Sequence, residues 1–200
     1  MTGRFIAFEG GDGSGKSTQA ARLAGALGAV LTREPGGTEI GRLIRGVLLD
    51  PAHDVMSDRA EALLYAADRA QHLVEVVEPA LQAGRHVVSD RSAWSSVVYQ
   101  GVGRGLGLDA VRAINDWALE GRWPDLVVLL DVDPTVAATR FTRDLDRLEQ
   151  AGPSFHQAVR DAYLSLAAAD PERWVVVDGG GDPDAVTAAV AAEVSTRLDR

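Results

Sequence analysis

Gly10-Gly11-Asp12-Gly13-Ser14-Gly15-Lys16-Ser17-Thr18 directly follows the apolar run Phe5-Ile6-Ala7-Phe8-Glu9 and fits the pattern G-x-x-x-x-G-K-[ST]. Each residue type in that spacing has a phosphate-binding job. Glycines let successive backbone N–H groups turn inward, and the N-terminus of the helix that must follow adds its dipole, so the loop can cradle a polyphosphate. Lys16 sets a compact charge where β- and γ-phosphates would lie, and the Ser17 hydroxyl is a ligand type for Mg²⁺. The alternative is a glycine-rich turn that matches by chance, which the strand before it and the helix after it argue against.

A second cluster follows the run His86-Val87-Val88-Ser89, where Asp90-Arg91 sets a carboxylate and a guanidinium at a strand end. Asp90 can hold Mg²⁺ directly or through water, and Arg91 can grip a phosphate bidentately; alternatively Asp90 simply caps a helix. Ser95, Ser96, Tyr99 and Gln100 fall in the next turns, placed either to meet a base edge and sugar or to face solvent. Tyr65 and Arg69 lie one turn apart on the side of a helix opposite the stripe Leu63, Ala67, Ala70, Val74, Val77 and Leu81. That stripe reads as core-facing, and the opposite side, with His72, reads as a platform for a flat ligand, as a solvated face, or as a face packed against another layer. Arg140, Arg143 and Arg147 recur at i, i+3, i+7 and would share one helical face, aimed at phosphates or at water.

Holding these groups together requires a particular kind of frame. Strand candidates at 5–9, 29–32, 86–90, 126–131 and 174–178 alternate with helical stretches near 15–27, 39–49, 57–83, 92–119, 134–148, 154–169 and 182–198. Within the fourth stretch, Asp109 and Gly121 bracket a separate helix. Val/Ile-rich strands without strict alternation, separated by helices, predict a three-layer doubly wound α/β fold with a parallel five-stranded sheet. Ligands belong at the carboxyl ends of those strands. No repeat or linker divides residues 1–200, so a single domain is expected.

Composition narrows the chemistry further. A formal net charge of -9 disfavours nucleic acid as a partner, so phosphate chemistry must be local. The absence of cysteine excludes thiolate chemistry and disulfides, and the four histidines lack metal-ligand spacing. No secretory signal or membrane-spanning run is present, which predicts a cytoplasmic chain without a membrane partner. Lys16 is the only lysine, so 19 of the 20 basic residues are arginine. With no second lysine there is no guanine-reading N-K-x-D motif, which moves small-molecule kinases ahead of GTPases. An ATP-dependent switch remains the alternative from another class.

Taken together, Phe8-Glu9-Gly10 through Thr18-Gln19, Thr32-Arg33-Glu34-Pro35-Gly36-Gly37-Thr38, Leu63 through His72, Asp90-Arg91 with Tyr99-Gln100-Gly101, and Leu145-Asp146-Arg147-Leu148-Glu149 resemble the bacterial thymidylate kinase family. The resemblance implies a nucleoside monophosphate kinase type of phosphate-loop fold with a short lid near 139–152, Mg²⁺ as cofactor, a homodimer, and phosphoryl transfer from ATP to dTMP. It implies that Tyr65 stacks on thymine, Arg69 meets the base side, Ser96 and Gln100 lie near the base edge, and Tyr99 sits against the sugar. Asp12 would approach the acceptor 3′-hydroxyl, Arg91 its phosphate, and Glu34, Pro35, Gly36 and Gly37 would wall its pocket. Some relatives carry an arginine where this loop has Gly13, so Arg140 or Arg143 of the lid must supply that charge. Another nucleotide kinase with a different acceptor is the neighbouring reading, since Ser92 stands where the family usually has an aromatic ring and Trp94 is the candidate to fill the space.

Overall fold

The computed structural model of this chain describes residues 3–141 and 144–198. All five predicted strands form: β1 (Phe5–Glu9), β2 (Val30–Arg33), β3 (Val87–Asp90), β4 (Leu126–Asp131) and β5 (Trp174–Asp178). They pair in parallel throughout, in the order β2-β3-β1-β4-β5. The helices are α1 (Lys16–Leu27), α2 (Glu39–Leu49), α3 (Asp58–His72), α4 (Glu78–Gln82), α5 (Ala93–Ser96), α6 (Leu108–Ala118), α7 (Pro134–Ala138), α8 (Pro153–Ala169) and α9 (Pro183–Leu198).

The strands are apolar on both faces because both faces are covered. Leu126, Val128 and Leu130 of β4 join Ile6 and Phe8 of β1 against Leu23 of α1 and Val186, Val190 and Val194 of α9. The intervening Val127 and Leu129 point the other way, toward Trp94, Val97 and, from α8, Val159 and Tyr163. β1 lies between β3 and β4, where the strand order reverses, so the crevice at its carboxyl end is the natural ligand site of a doubly wound sheet. The β1–α1 loop occupies that crevice.

Three helical stretches differ from expectation. The stretch at 57–83 is continuous but changes register through a π-turn at Leu73–Val77 just before Pro79, whose missing N–H and ring cannot continue regular α bonding. The stretch at 92–119 divides, with a π-turn at Val97–Gly103, left-handed Gly105 and Gly107, and then α6, close to the expected separate helix. Among the described residues the stretch at 134–148 is helical only at Pro134–Ala138, with a 3₁₀ turn at Glu149–Ala151 beyond it. Asp133 caps that short helix by accepting from the Thr135 N–H at 2.8 Å, but beyond it the chain is held by distant partners. Arg140 donates to the carbonyls of Gly13 and Gly179, and Arg147 to the carbonyl of Leu48. Arg140 and Arg147 therefore do not share a helical face, and Arg143 lies outside the described residues.

The predicted core-facing stripe holds only in its second half: Val77 is buried and Leu81 packs against the core, whereas Leu63 of α3 is 57% and Val74 of the π-turn 66% exposed, and Tyr65, Arg69 and His72 on the opposite side are buried. Hydrophobic periodicity reports which side is apolar. Tyr65 apart, the buried side carries polar groups of which Arg69 and His72 find hydrogen-bond partners inside, which offsets the usual cost of burying them.

Candidate active site

At the carboxyl ends of β1, β2 and β3 lies a cavity of about 650 Å³, and residues from Asp12 to Gln19 of the phosphate loop form one end of it. Gly13 adopts φ +79°, and a Cβ there would stand 2.6 Å from the Ala137 carbonyl oxygen, so no side chain fits at that position. Instead Arg140 reaches in from the segment after α7 and donates to the Gly13 carbonyl at 3.0 Å. Gly10 and Gly11 of the loop line a neighbouring cavity rather than this one, Gly11 offering its carbonyl to Lys16 Nζ at 2.6 Å. Lys16 also donates to Ser14 Oγ at 3.3 Å. Burial and the nearby Arg91 guanidinium push the Lys16 amine down to about 8, against the opposing pull of Asp12, Asp90 and Glu9.

The β3 end projects Asp90 and Arg91 into the same cavity. Ser17 Oγ donates to Asp90 Oδ2 at 2.5 Å, joining the two predicted metal-binding groups. Asp90 is not the helix cap: Ser92 takes that position, its Oγ accepting from the Trp94 N–H at 3.3 Å. Arg91 has φ +73°, a left-handed conformation costly for a residue with a side chain. Its backbone is fixed on every side. The Arg91 N–H donates to the Phe8 carbonyl at 2.9 Å, Ser89 Oγ donates to the Arg91 carbonyl at 2.7 Å, and the Ser92 N–H donates to Glu9 Oε1 at 2.9 Å. The guanidinium thus directed donates to Asp12 Oδ1 at 2.5 Å and Ser95 Oγ at 3.0 Å, and lies 5.1 Å from the centre of the Tyr99 ring. Burial alone would raise Asp12, but Arg91 and Lys16 outweigh it and hold the carboxyl at about 2, with Tyr99 donating to Oδ2 at 2.9 Å.

Away from the phosphate loop the cavity continues to α3, where Tyr65 and Arg69 line it with Ser96 and Gln100. Arg69 is 1% exposed and most of its donors are used internally: Nε to Glu34 at 2.8 Å, Nη1 to Ser96 Oγ at 2.7 Å and Asn115 at 3.0 Å, Nη2 to the Ser92 carbonyl at 3.0 Å. Its carbon centre stands 5.5 Å from the Tyr65 ring. Glu34 also meets His72 Nδ1 at 2.9 Å, and despite burial its carboxyl is held below the ordinary value by His72 and Arg69. Glu34 and Pro35 line the cavity, whereas Gly36 and Gly37 of the same segment do not. Trp94 does not take the space beside Ser92: it packs in the core against Trp123 and Trp174, at 4.6 and 5.3 Å between ring centres.

Several site groups carried no sequence signal strong enough to single them out. Glu9 looked like the end of an apolar strand, yet its carboxylate accepts from Ser92, Ser95 and Tyr163 directly beneath Arg91. Arg45 of α2, one of many arginines, lines the cavity and donates to the Pro35 carbonyl at 3.0 Å. Asp68, inside the family-like Leu63–His72 segment, supports the pocket wall by accepting from the Gly36 N–H at 2.9 Å, and its other oxygen is buried without a partner. Burial, and then the neighbouring Glu34 charge, raise its carboxyl to about 6. The folded chain therefore holds this proton above the pH at which the unfolded chain loses it, so stability declines as pH rises from about 4 through 6 and the penalty is complete above that. Asp68→Asn is expected to raise stability at pH 7.5 by about 1–2 kcal/mol, a gain that vanishes toward pH 4. Thermal melts of the two proteins across that range check it; a gain independent of pH would show that charge is not the cause.

A phosphate loop in the crevice of a five-stranded parallel sheet, with a carboxylate and arginine at the adjacent strand end and the same cavity continuing beyond them, defines a phosphate-loop α/β fold of the nucleoside monophosphate kinase type. A family model described as thymidylate kinase matches residues 8–190. The chain is 50% identical to a thymidylate kinase of Leifsonia xyli, over 98% of this chain and 95% of that one. Identity is 50% to a thymidylate kinase of Clavibacter michiganensis, over 95% and 93% of the two chains, and 42% to one of a Geobacillus species, over 100% and 99%. The chain belongs to the thymidylate kinase family.

Proposed function

We propose that this chain is a thymidylate kinase, transferring the γ-phosphoryl group of ATP to dTMP to give dTDP and ADP. The observation that carries this reading is the continuity of one cavity from the phosphate loop, past Arg91 and Asp12, to Tyr65, Ser96 and Gln100. Its length is lined first by groups suited to phosphates and then by an aromatic ring and hydrogen-bonding side chains suited to a base. In-line transfer requires mainly positioning and charge neutralisation. Gly13 to Thr18 would hold the ATP phosphates with Lys16, while Arg91 would hold the acceptor phosphate. Asp12, fixed between Arg91 and Tyr99, would meet the sugar 3′-hydroxyl, and Tyr99 would lie against the sugar. Arg140 is the lid arginine already at the loop, with Arg143 as the neighbouring candidate, and the 139–152 segment would close over the phosphates within a single domain.

Ser17 and Asp90 fit a magnesium site of the kind completed by substrate and water. Among the described residues no cluster of three acidic or histidine ligands forms a dedicated cage, and Mg²⁺ commonly takes one or two protein ligands plus phosphate oxygens. When bound there, the ion would supply neutralisation of developing phosphate charge.

The proposal includes a homodimer in the cytoplasm. Leu43 of α2, Leu63 of α3 and Trp117 of α6 are 72%, 57% and 83% exposed on helices that pack side by side, and burying such apolar surface against a second copy would stabilise the pair. No helix among the described residues is long and apolar enough to cross a membrane.

A coupled assay supplying ATP, Mg²⁺ and each nucleoside monophosphate in turn tests the activity: preference for dTMP is expected, preference for another acceptor indicates a different nucleotide kinase, and no turnover indicates a switch. Tyr65→Ala is expected to raise KM for dTMP roughly 5- to 150-fold with a smaller change in kcat, because stacking on a base contributes about 1–3 kcal/mol. An unchanged dTMP affinity would remove Tyr65 from the base site.

A further inference from the structure

One buried acidic group on the base side lies away from the phosphate loop. Glu61, in the first turn of α3, is fully buried. Its Oε1 accepts from Gln100 Nε2 at 2.7 Å, and its Oε2 accepts from Arg104 Nη2 at 3.2 Å and Arg147 Nη2 at 2.5 Å. We infer that Glu61 is the positioning residue that makes this site select a pyrimidine protonated at N3, by fixing which end of the Gln100 amide faces the base. The inference rests on the reading that places the base beside Gln100.

The chemistry of the pair leaves one orientation. A side-chain amide is nearly symmetric in shape but has a donor end and an acceptor end, whereas a carboxylate faced by two guanidiniums only accepts. The NH₂ of Gln100 must therefore point at Glu61; turning the amide over would press its carbonyl oxygen against a carboxylate oxygen. Among the described residues, the side-chain oxygen Gln100 Oε1 accepts no hydrogen bond and is not one of the buried unpaired atoms, while the residue lines the cavity. The edge left for a ligand is that carbonyl oxygen with the second N–H beside it.

Thymine and uracil present the complement of that edge, an N3–H donor beside an O4 acceptor. Cytosine presents the reverse, an N3 acceptor beside a 4-amino donor, so both contacts become like against like. A polar site rejects a mismatched partner more strongly than a merely smaller one, because its own buried groups are left unpaired. An amide free to turn over would serve both bases. Restricting it is a task for a group that can accept and cannot donate, which is what distinguishes Glu61 from a glutamine of the same size.

Glu61 also anchors Arg104 and Arg147, so its substitution can lower activity for reasons unrelated to the base. The ratio of kcat/KM for dTMP to that for dCMP separates the two, since a uniform loss leaves it unchanged; dCMP is read as a competitive inhibitor where it does not turn over. Glu61→Gln is expected to lower this ratio about tenfold or more, and Glu61→Asp, still acceptor-only, to keep it near the wild-type value. A Glu61→Gln enzyme with the wild-type ratio overturns the inference. If that variant does not fold, the same ratio is measured with Arg104→Gln added, which removes one of the two cations facing the changed group. Gln100→Leu distinguishes the underlying reading: unchanged kcat/KM for dTMP places the base elsewhere and overturns both, whereas a loss with Gln100→Leu beside an unchanged ratio with Glu61→Gln overturns the role of Glu61 alone.

Discussion

Arg91→Ala is expected to lower kcat for dTMP phosphorylation by about 10²–10⁴-fold, with the protein still folded. The guanidinium stands between the groups assigned to donor and acceptor. It lies 2.5 Å from Asp12, lines the cavity with Lys16, and is held over the Tyr99 ring. Its aim comes from the left-handed backbone at φ +73°, locked by Phe8, Ser89 and Glu9 through the hydrogen bonds around residues 91 and 92. Alanine keeps the backbone cost and removes the charge. Arg91→Gly removes both, so it is expected to match the alanine variant in kcat while melting at a higher temperature. Steady-state kinetics with varied dTMP, together with thermal melts of the three proteins, check this. A loss confined to KM would make Arg91 a ground-state phosphate contact, and activity within a fewfold of wild type would remove it from the transfer step. The Asp12 carboxyl offers an independent readout: without Arg91 its largest stabilising charge is gone, and it should titrate well above about 2.

The frame of this site was legible because its signals are local. The strands at 126–131 and 174–178 announce themselves by apolar runs too short for helices, and the phosphate loop by glycines whose need is set by the nearest backbone atoms. The resemblance brought in residues whose roles no spacing could assign, such as Gln100. The side of α3 that faces inward was not legible. Leu63 and Val74 looked like core because they are apolar, yet Tyr65, Arg69 and His72 are buried because Glu34, Ser96 and Asn115 arrive from three other parts of the chain to satisfy them. Periodicity cannot anticipate partners that distant in sequence. The segment after α7 failed for the same reason: the arginine spacing was helical, but Arg140 and Arg147 are held by carbonyls of Gly13 and Leu48. Glu61 was least visible of all, since an acidic residue in the first turn of a helix ordinarily needs no explanation beyond the helix dipole.

Lys16→Arg should reduce kcat/KM for ATP by about 10²–10³-fold although it conserves charge, with little change in melting temperature. In this chain the substitution looks unusually mild, because arginine supplies 19 of its 20 basic residues. Geometry decides otherwise. Lys16 is 6% exposed, and its single nitrogen fits between the Gly11 carbonyl at 2.6 Å and Ser14 Oγ at 3.3 Å. A planar group with three nitrogens must either push the loop backbone outward or turn away from the phosphates, and the loop's backbone donors lose their shape in the first case and their counter-charge in the second. A pH profile separates this from a general loss of binding. The free enzyme's lysine titrates at about 8, lowered first by burial and then by Arg91, so wild-type kcat/KM for ATP should fall as pH rises through that value and the ammonium is lost. A guanidinium stays charged throughout, so the variant should lack that alkaline limb even while its activity is low. A variant within a fewfold of wild type, or one that keeps the same limb, would mean that Lys16 is not the cation at the transferring phosphate and that Arg91 and Arg140 carry that charge without it.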